Sequence, residues 1–94
     1  IPTEFAISQN YPNPFNLTTT IQYSLTKKSD VTISIFNTIG QVVRRFDQGF
    51  QQPGNYKVVW GGKDNQGHDA PSGLYFYQII ADGFVNVKRM VLVK

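Results

Sequence analysis

Reactive side chains are scarce in this chain of 94 residues, which has no cysteine, one histidine and six carboxylates. Without a thiol there is no cysteine nucleophile, no thiolate metal cluster and no disulfide framework, so packing alone must hold the fold. A hydroxyl nucleophile would need a base. The only imidazole, His68, lies in the polar run Asp64-Asn65-Gln66-Gly67-His68-Asp69, where an exposed turn residue is expected rather than a general base. The carboxylates Glu4, Asp30, Asp47, Asp64, Asp69 and Asp82 mostly flank turns, and none is paired in sequence with another for acid–base work. No glycine-rich loop opens a helix to cradle phosphate. Enzyme activity is therefore not expected, and neither is a cofactor. Asp64, Asn65 and Asp69 could offer oxygens to a calcium ion. Their spacing departs from the EF-hand loop and no bidentate glutamate closes it, so turn chemistry is the expectation.

Two further groups of residues could carry binding chemistry. Tyr75, Phe76 and Tyr77, with Tyr23 and Tyr56 elsewhere, present flat rings of the kind that stack on sugars, as in an accessory carbohydrate-binding module. In a strand, Tyr75 and Tyr77 share one side and Phe76 the other, so at least one side must be core, and packing is the favoured reading. Asn16-Leu17-Thr18 fits the Asn-x-Thr glycosylation pattern, whose use depends on the host.

The net charge of +3 invites a nucleic-acid reading. The cations are scattered as Lys27-Lys28, Arg44-Arg45, Lys57, Lys63, Lys88-Arg89 and Lys94, with no continuous basic run, so a solvated surface and no nucleic-acid partner are expected. No stretch approaches the ~18–20 apolar residues of a membrane-spanning helix, and the opening IPTEFAIS lacks the features of a signal peptide. Because the chain opens on Ile1, it is expected to be one domain cut from a longer precursor that carries its own export signal.

The elements that must position these residues read as strands. Ile21–Leu25 and Val31–Ile35 alternate apolar with polar residues, as half-buried strands do, and Tyr56–Trp60 repeats the pattern. Leu74–Ile80 is nearly continuous in apolar residues, so it is either a strand covered on both faces or one with a core face and an interface face. Gln41–Phe46, Phe84–Val93 and a short strand near Glu4–Ser8 complete seven. Turn residues at Asn37–Gly40, Pro53-Gly54, Asp64–Gly67 and Asp82-Gly83 separate them and are expected to close hairpins. The implied fold is all-β, a seven-stranded antiparallel immunoglobulin-like β-sandwich, with Trp60 filling the core.

The run Asn10-Tyr11-Pro12-Asn13-Pro14-Phe15-Asn16 remains. Two prolines fix φ and bias the preceding residues toward extended geometry, so it reads as a stiff loop, with Tyr11 and Phe15 anchoring on the sandwich and Asn10, Asn13 and Asn16 bonding nearby backbone. Together with Thr19–Leu25, the hairpin around Gly40, the Gly54…Trp60 strand, the Gly73-to-Tyr77 strand and the closing Lys88–Lys94, it resembles the C-terminal sorting domain of the type IX secretion system. Many members of that family continue the loop with a second Asn-Pro where this chain has Leu17. Many also carry Trp-Asp-Gly where this one has Trp60-Gly61-Gly62.

The resemblance implies a delivery signal. Its partners would be the type IX translocon, a sortase and an N-terminal passenger of the same precursor, and its destination the outer-membrane cell surface or the medium by way of the periplasm. On this reading Gly73, Tyr75, Lys88, Arg89, Val91, Val93 and Lys94 are the residues the translocon reads, and a homodimer through an edge strand is expected as an option. The chain is also similar, through its Gly54…Trp60 and Ser72-Gly73-x-Tyr75-x-Tyr77 strands, to the immunoglobulin-like module of the flagellar hook-capping protein, which would imply an uncleaved spacer or protein-interaction role.

Overall fold

The computed structural model describes residues 3–94, and among them there are seven strands and no helix. β1 (Ala6–Ile7), β2 (Thr19–Leu25) and β5 (Gly54–Trp60) form one sheet in the order β1-β2-β5. β3 (Ser29–Phe36), β4 (Val42–Gln51), β6 (Gly73–Ala81) and β7 (Phe84–Leu92) form the other, in the order β4-β3-β6-β7. Among the described residues the pairings between these strands are all antiparallel.

Period-2 alternation decides which side of each strand is dry. Along β2, Thr19, Ile21, Tyr23 and Leu25 are buried, while Thr20, Gln22 and Ser24 face outward. Along β3, Val31, Ile33 and Ile35 have no exposure at all. β6 resolves the ambiguity of its sequence in favour of one core face: Tyr75, Tyr77, Ile79 and Ala81 are buried, and Leu74 and Ile80 look outward. Trp60 fills the space between the sheets, as expected, at 1% exposure.

Of the four turns read as hairpins, two are hairpins. Gly40 takes φ 84° between β3 and β4, and the Asn37 carboxamide accepts the Ile39 and Gln41 amides to set that turn. Asp82 (φ 49°) and Gly83 (φ 89°) both occupy the left-handed region between β6 and β7, the geometry whose twist suits a two-residue hairpin. The other two expectations need correcting. Pro53-Gly54 does not close a hairpin, because β4 pairs with β3 and β5 with β2, so the chain changes sheets there. Asp64–Gly67 forms a turn inside the connection from β5 to β6, another change of sheet, closed by the Lys63↔Asp69 bridge. Turn residues report local φ, which says nothing about the strand the chain meets next.

Strand lengths also differ from expectation. β4 runs on to Gln51, with register shifts between Val31 and Thr32 and between Ile35 and Phe36. β1 shrinks to two residues.

The ladders fix two poles. Phe5 stacks on Phe84 at 5.3 Å near the β6–β7 turn. The loop before β2, the 37–41 turn, the 61–72 connection and the Val93-Lys94 end gather at the opposite pole of a body 37 Å long.

The register gives a direct test. Ile79→Ala, which empties a fully buried site, is expected to cost about 2–5 kcal/mol. Its neighbour Ile80 is 43% exposed, and Ile80→Ala is expected to change stability by about 0.5 kcal/mol or less. Urea unfolding of both variants measures the contrast, and equal costs would contradict the assigned faces.

Candidate functional site

The pole that holds the 10–16 loop brings together most of the residues singled out in the sequence. Tyr11 exchanges backbone hydrogen bonds with Thr20, its amide donating to the Thr20 carbonyl and its carbonyl accepting from the Thr20 amide, both at 2.9 Å. The loop then crosses to the other sheet. The Phe15 amide donates to the Val91 carbonyl at 3.0 Å and the Val93 amide donates to the Phe15 carbonyl at 2.8 Å. The Val91 amide donates to Asn13 Oδ1 at 3.0 Å, and Gln9 Nε2 donates to the Arg89 carbonyl at 2.7 Å. The end of β7, which has no strand beyond it, is thus covered by residues nearly eighty positions earlier. Both the Tyr11–Pro12 and Asn13–Pro14 peptides are cis.

Buried polar groups fasten the loop from within. Asn10 is 2% exposed. Its backbone N–H donates to Tyr77 Oη at 2.9 Å, and its carboxamide donates to Thr19 Oγ1 at 2.9 Å and to the Pro12 carbonyl at 3.2 Å. Thr19 Oγ1 donates to the same Pro12 carbonyl. Tyr77 Oη donates to the Ser8 carbonyl at 2.8 Å. Among the described residues no buried side-chain N or O lacks a partner, as a buried polar network requires.

Rings supply the apolar half of the site. Phe15 is buried and meets Trp60 at 5.5 Å between centroids, and Trp60 meets Tyr75 edge-on at 5.4 Å. Each polar tip finds a carbonyl: Trp60 Nε1 donates to Lys63 at 2.8 Å and Tyr75 Oη to Pro71 at 2.6 Å. Tilted and edge-on contacts of this kind add to the burial of the rings themselves. Gly62 beyond the tryptophan has φ 72°, a left-handed conformation that a side chain would strain.

Placement of the sequence candidates divides them. Asn10, Asn13 and Phe15 act on the sandwich as expected, whereas Tyr11 does not: its ring is 80% exposed. It points away because its backbone, not its ring, makes the contact with β2. Pro12, Pro14 and Asn16 are exposed, and the Asn16 side chain makes no hydrogen bond among the described residues. Gly40 serves the hairpin, Gly54 begins β5, and Trp60 is core. Among the residues assigned to recognition, Tyr75 is buried and serves packing, because its strand alternation turns it inward. Lys88 is half-buried beside Tyr77 in the β6–β7 register. Gly73, Arg89, Val93 and Lys94 are exposed, and Val91 carries the loop. Gln9, Thr19 and Tyr77 complete the site without having been singled out for it. Gln9 and Tyr77 find their partners across the fold, and Thr19 meets Asn10 and Pro12 where the loop closes on β2.

The other candidate chemistries disperse. Tyr75 and Tyr77 face the core and Tyr23 is buried against Tyr56, so these three rings are taken up by packing. The Asp64 carboxylate accepts the amides of Gln66 and His68, both at 2.9 Å. Asp69 pairs with Lys63, whose hydrogen bond and charge hold its carboxyl below the usual range. His68 is exposed in that turn.

Known proteins share this architecture. A family model described as the FlgD Ig-like domain matches residues 15–83. Dimeric latent PorU from Porphyromonas gingivalis superposes with a TM-score of 0.75 at 16% identity, over 98% of this chain and 10% of that one. PorZ, described as an essential bacterial surface component of the type-IX secretion system of the same organism, gives 0.65 at 18% identity, over 96% and 11%. FlgD from P. aeruginosa gives 0.59 at 28% identity, over 79% and 58%. The chain therefore spans about a tenth of the length of the PorU and PorZ chains. No curated protein matches the sequence.

Burial pushes the Tyr77 phenol from 10.0 up to about 12, the Asn10 backbone hydrogen bond opposing the shift. Because the folded state holds this proton more tightly than the unfolded chain, the stabilisation is complete below pH about 10 and is lost as pH rises to about 12. Tyr77→Phe strands Ser8 and Asn10 and is expected to cost about 1–3 kcal/mol at neutral pH. It should also flatten the alkaline loss of stability, leaving a residue from Tyr23 and Tyr75, which burial also raises. Urea midpoints measured from pH 7 to pH 12 read both effects.

Proposed function

We propose that this chain, which belongs to the FlgD Ig-like domain family, is a C-terminal sorting domain that delivers a preceding passenger through a type IX translocon to the cell surface or the medium. The observation that carries the reading is the union of two segments far apart in sequence. The Asn10–Asn16 loop, one of the blocks by which the chain resembles sorting domains, is bonded to the last residues of β7, in another of those blocks. The family match over residues 15–83 leaves out most of the loop and all of β7. What this chain has beyond the shared immunoglobulin-like body is the assembly at one pole.

Two further facts support delivery. The likeness to PorU and PorZ extends over 98% and 96% of the chain, and PorZ is described as a type IX surface component. Phe5, through which any preceding domain would enter, lies at the pole opposite Lys94. A passenger would therefore leave Arg89, Val93 and Lys94 accessible. On this reading the domain has no catalytic role, its partners are the translocon and a sortase that removes it, and it passes through the periplasm of a Gram-negative bacterium.

A second reading, an uncleaved spacer or interaction module, is favoured by the family match itself, since that match describes the body alone. Fusing the chain to a periplasm-targeted reporter in a type IX-competent bacterium separates the two. Export is expected for the fusion, and its loss on deletion of Lys88–Lys94. Export that persists without those residues would sink the sorting reading, and a mature protein that keeps the domain would favour the spacer.

A further inference from the structure

We propose that the open length of the β7 edge, from Val85 to Arg89, docks an extended peptide that carries carboxylates and joins the four-stranded sheet as a fifth strand. The inference rests on the delivery reading, naming the kind of partner that the same strand would take.

An antiparallel ladder engages alternate residues and turns the amides and carbonyls of the others away. β7 pairs with β6 alone. Val91 directs its N–H and C=O to Asn13 and Phe15, which sets the parity. Arg89, Val87 and Val85 therefore present their backbone groups at the same open edge. The cover reaches only the Arg89 carbonyl, held by Gln9. Among the described residues, the Arg89 amide and both backbone groups of Val87 and Val85 have no protein partner.

Folded proteins guard their sheet edges with bulges, charges, short strands or covering loops. β1 has two residues. β4 carries two register shifts, and Asn65 bonds to its edge at Val43 and Arg45. β5 is shorter than β7 and turns Asn55 and Lys57 outward. The β6–β7 ladder, by contrast, runs without a shift from Gly73↔Leu92 to Ala81↔Phe84. Val85 and Val87 stand beside the open groups at 53% and 49% exposure. A regular, half-exposed apolar edge of this kind suits strand addition.

Charge selects the partner. Neither β6 nor β7 contains an Asp or Glu, while Lys88, Arg89 and Lys94 lie on or just after β7. None of these cations forms an ion pair among the described residues. The nearby Asp82 is held by Lys27 at 2.9 Å and Asp69 by Lys63. A strand alternating apolar and acidic residues would pack on the valines and supply the missing negative charge. A second copy pairing through its own β7 would bring the same cations and no Asp or Glu on that strand.

The test is an NMR titration of the isolated chain with a blocked peptide of alternating Val and Glu, and with its Val and Lys counterpart. The acidic peptide is expected to shift and protect the amides of Val85, Val87 and Arg89, with binding ~tenfold weaker for the lysine peptide and for the K88Q/R89Q variant. Val87→Pro removes an edge amide that β6 does not use and should abolish binding, with unchanged β2 and β5 signals showing that the fold persists. No response at Val85–Arg89, equal binding of both peptides, or self-association through this edge would overturn the proposal. Binding is read in solution and export in cells, so failure of the one is distinguishable from failure of the other.

Discussion

A phenol with no exposed surface must place its hydroxyl on partners inside the protein, and Tyr77 does so on the backbone of Ser8 and Asn10. The ring belongs to the four-stranded sheet, while the atoms it holds belong to the segment leaving β1 in the other. One side chain thus ties the two layers together and sets where the connection to β2 begins. Asn10 bonds to Thr19 and Pro12, so the loop can only cross toward β7. Leaving any member unpaired would expose the rest to the cost of a buried, unsatisfied polar group.

The loop answers a problem created by the topology. β7 is long, regular and last in its sheet, the arrangement most prone to unplanned pairing. Asn13 and Phe15 occupy its final backbone groups, and Phe15 carries its ring down to Trp60 in the same stroke. Stiffness suits this task, because a segment with two fixed φ angles has less freedom to lose on ordering. The remaining edge is left to water and to whatever strand fits its valines and cations.

The body beneath is the immunoglobulin-like sandwich of the FlgD Ig-like family, and it explains why several chemically suggestive residues are engaged in structural contacts. Tyr75 is packed because it shares a face with Ile79. Asp64 spends its carboxylate on two amides of its own turn. Asp69 is neutralised by Lys63. The pole holding the loop and the open side of β7 remain accessible.

The strand pattern was legible because period-2 alternation is a local consequence of backbone geometry: Ile21, Tyr23, Val31, Ile33 and Trp60 could be placed inside from their neighbours alone. The two left-handed turns at Gly40 and Asp82-Gly83 were legible for the same reason. Sheet membership was not, as Pro53 and Asp64 show, because a turn's dihedrals carry no record of the strand that will pair after it. Nor could the sequence single out Gln9, Thr19 and Tyr77 as the anchors of the loop, or turn Tyr11 outward. Those outcomes depend on contacts made only in the folded chain, among them hydrogen bonds from Gln9, Asn10 and Asn13 to residues 67 to 80 positions away. Local chemistry determined the strands and the stiffness of the loop; only the packing of two sheets decided what that loop would hold.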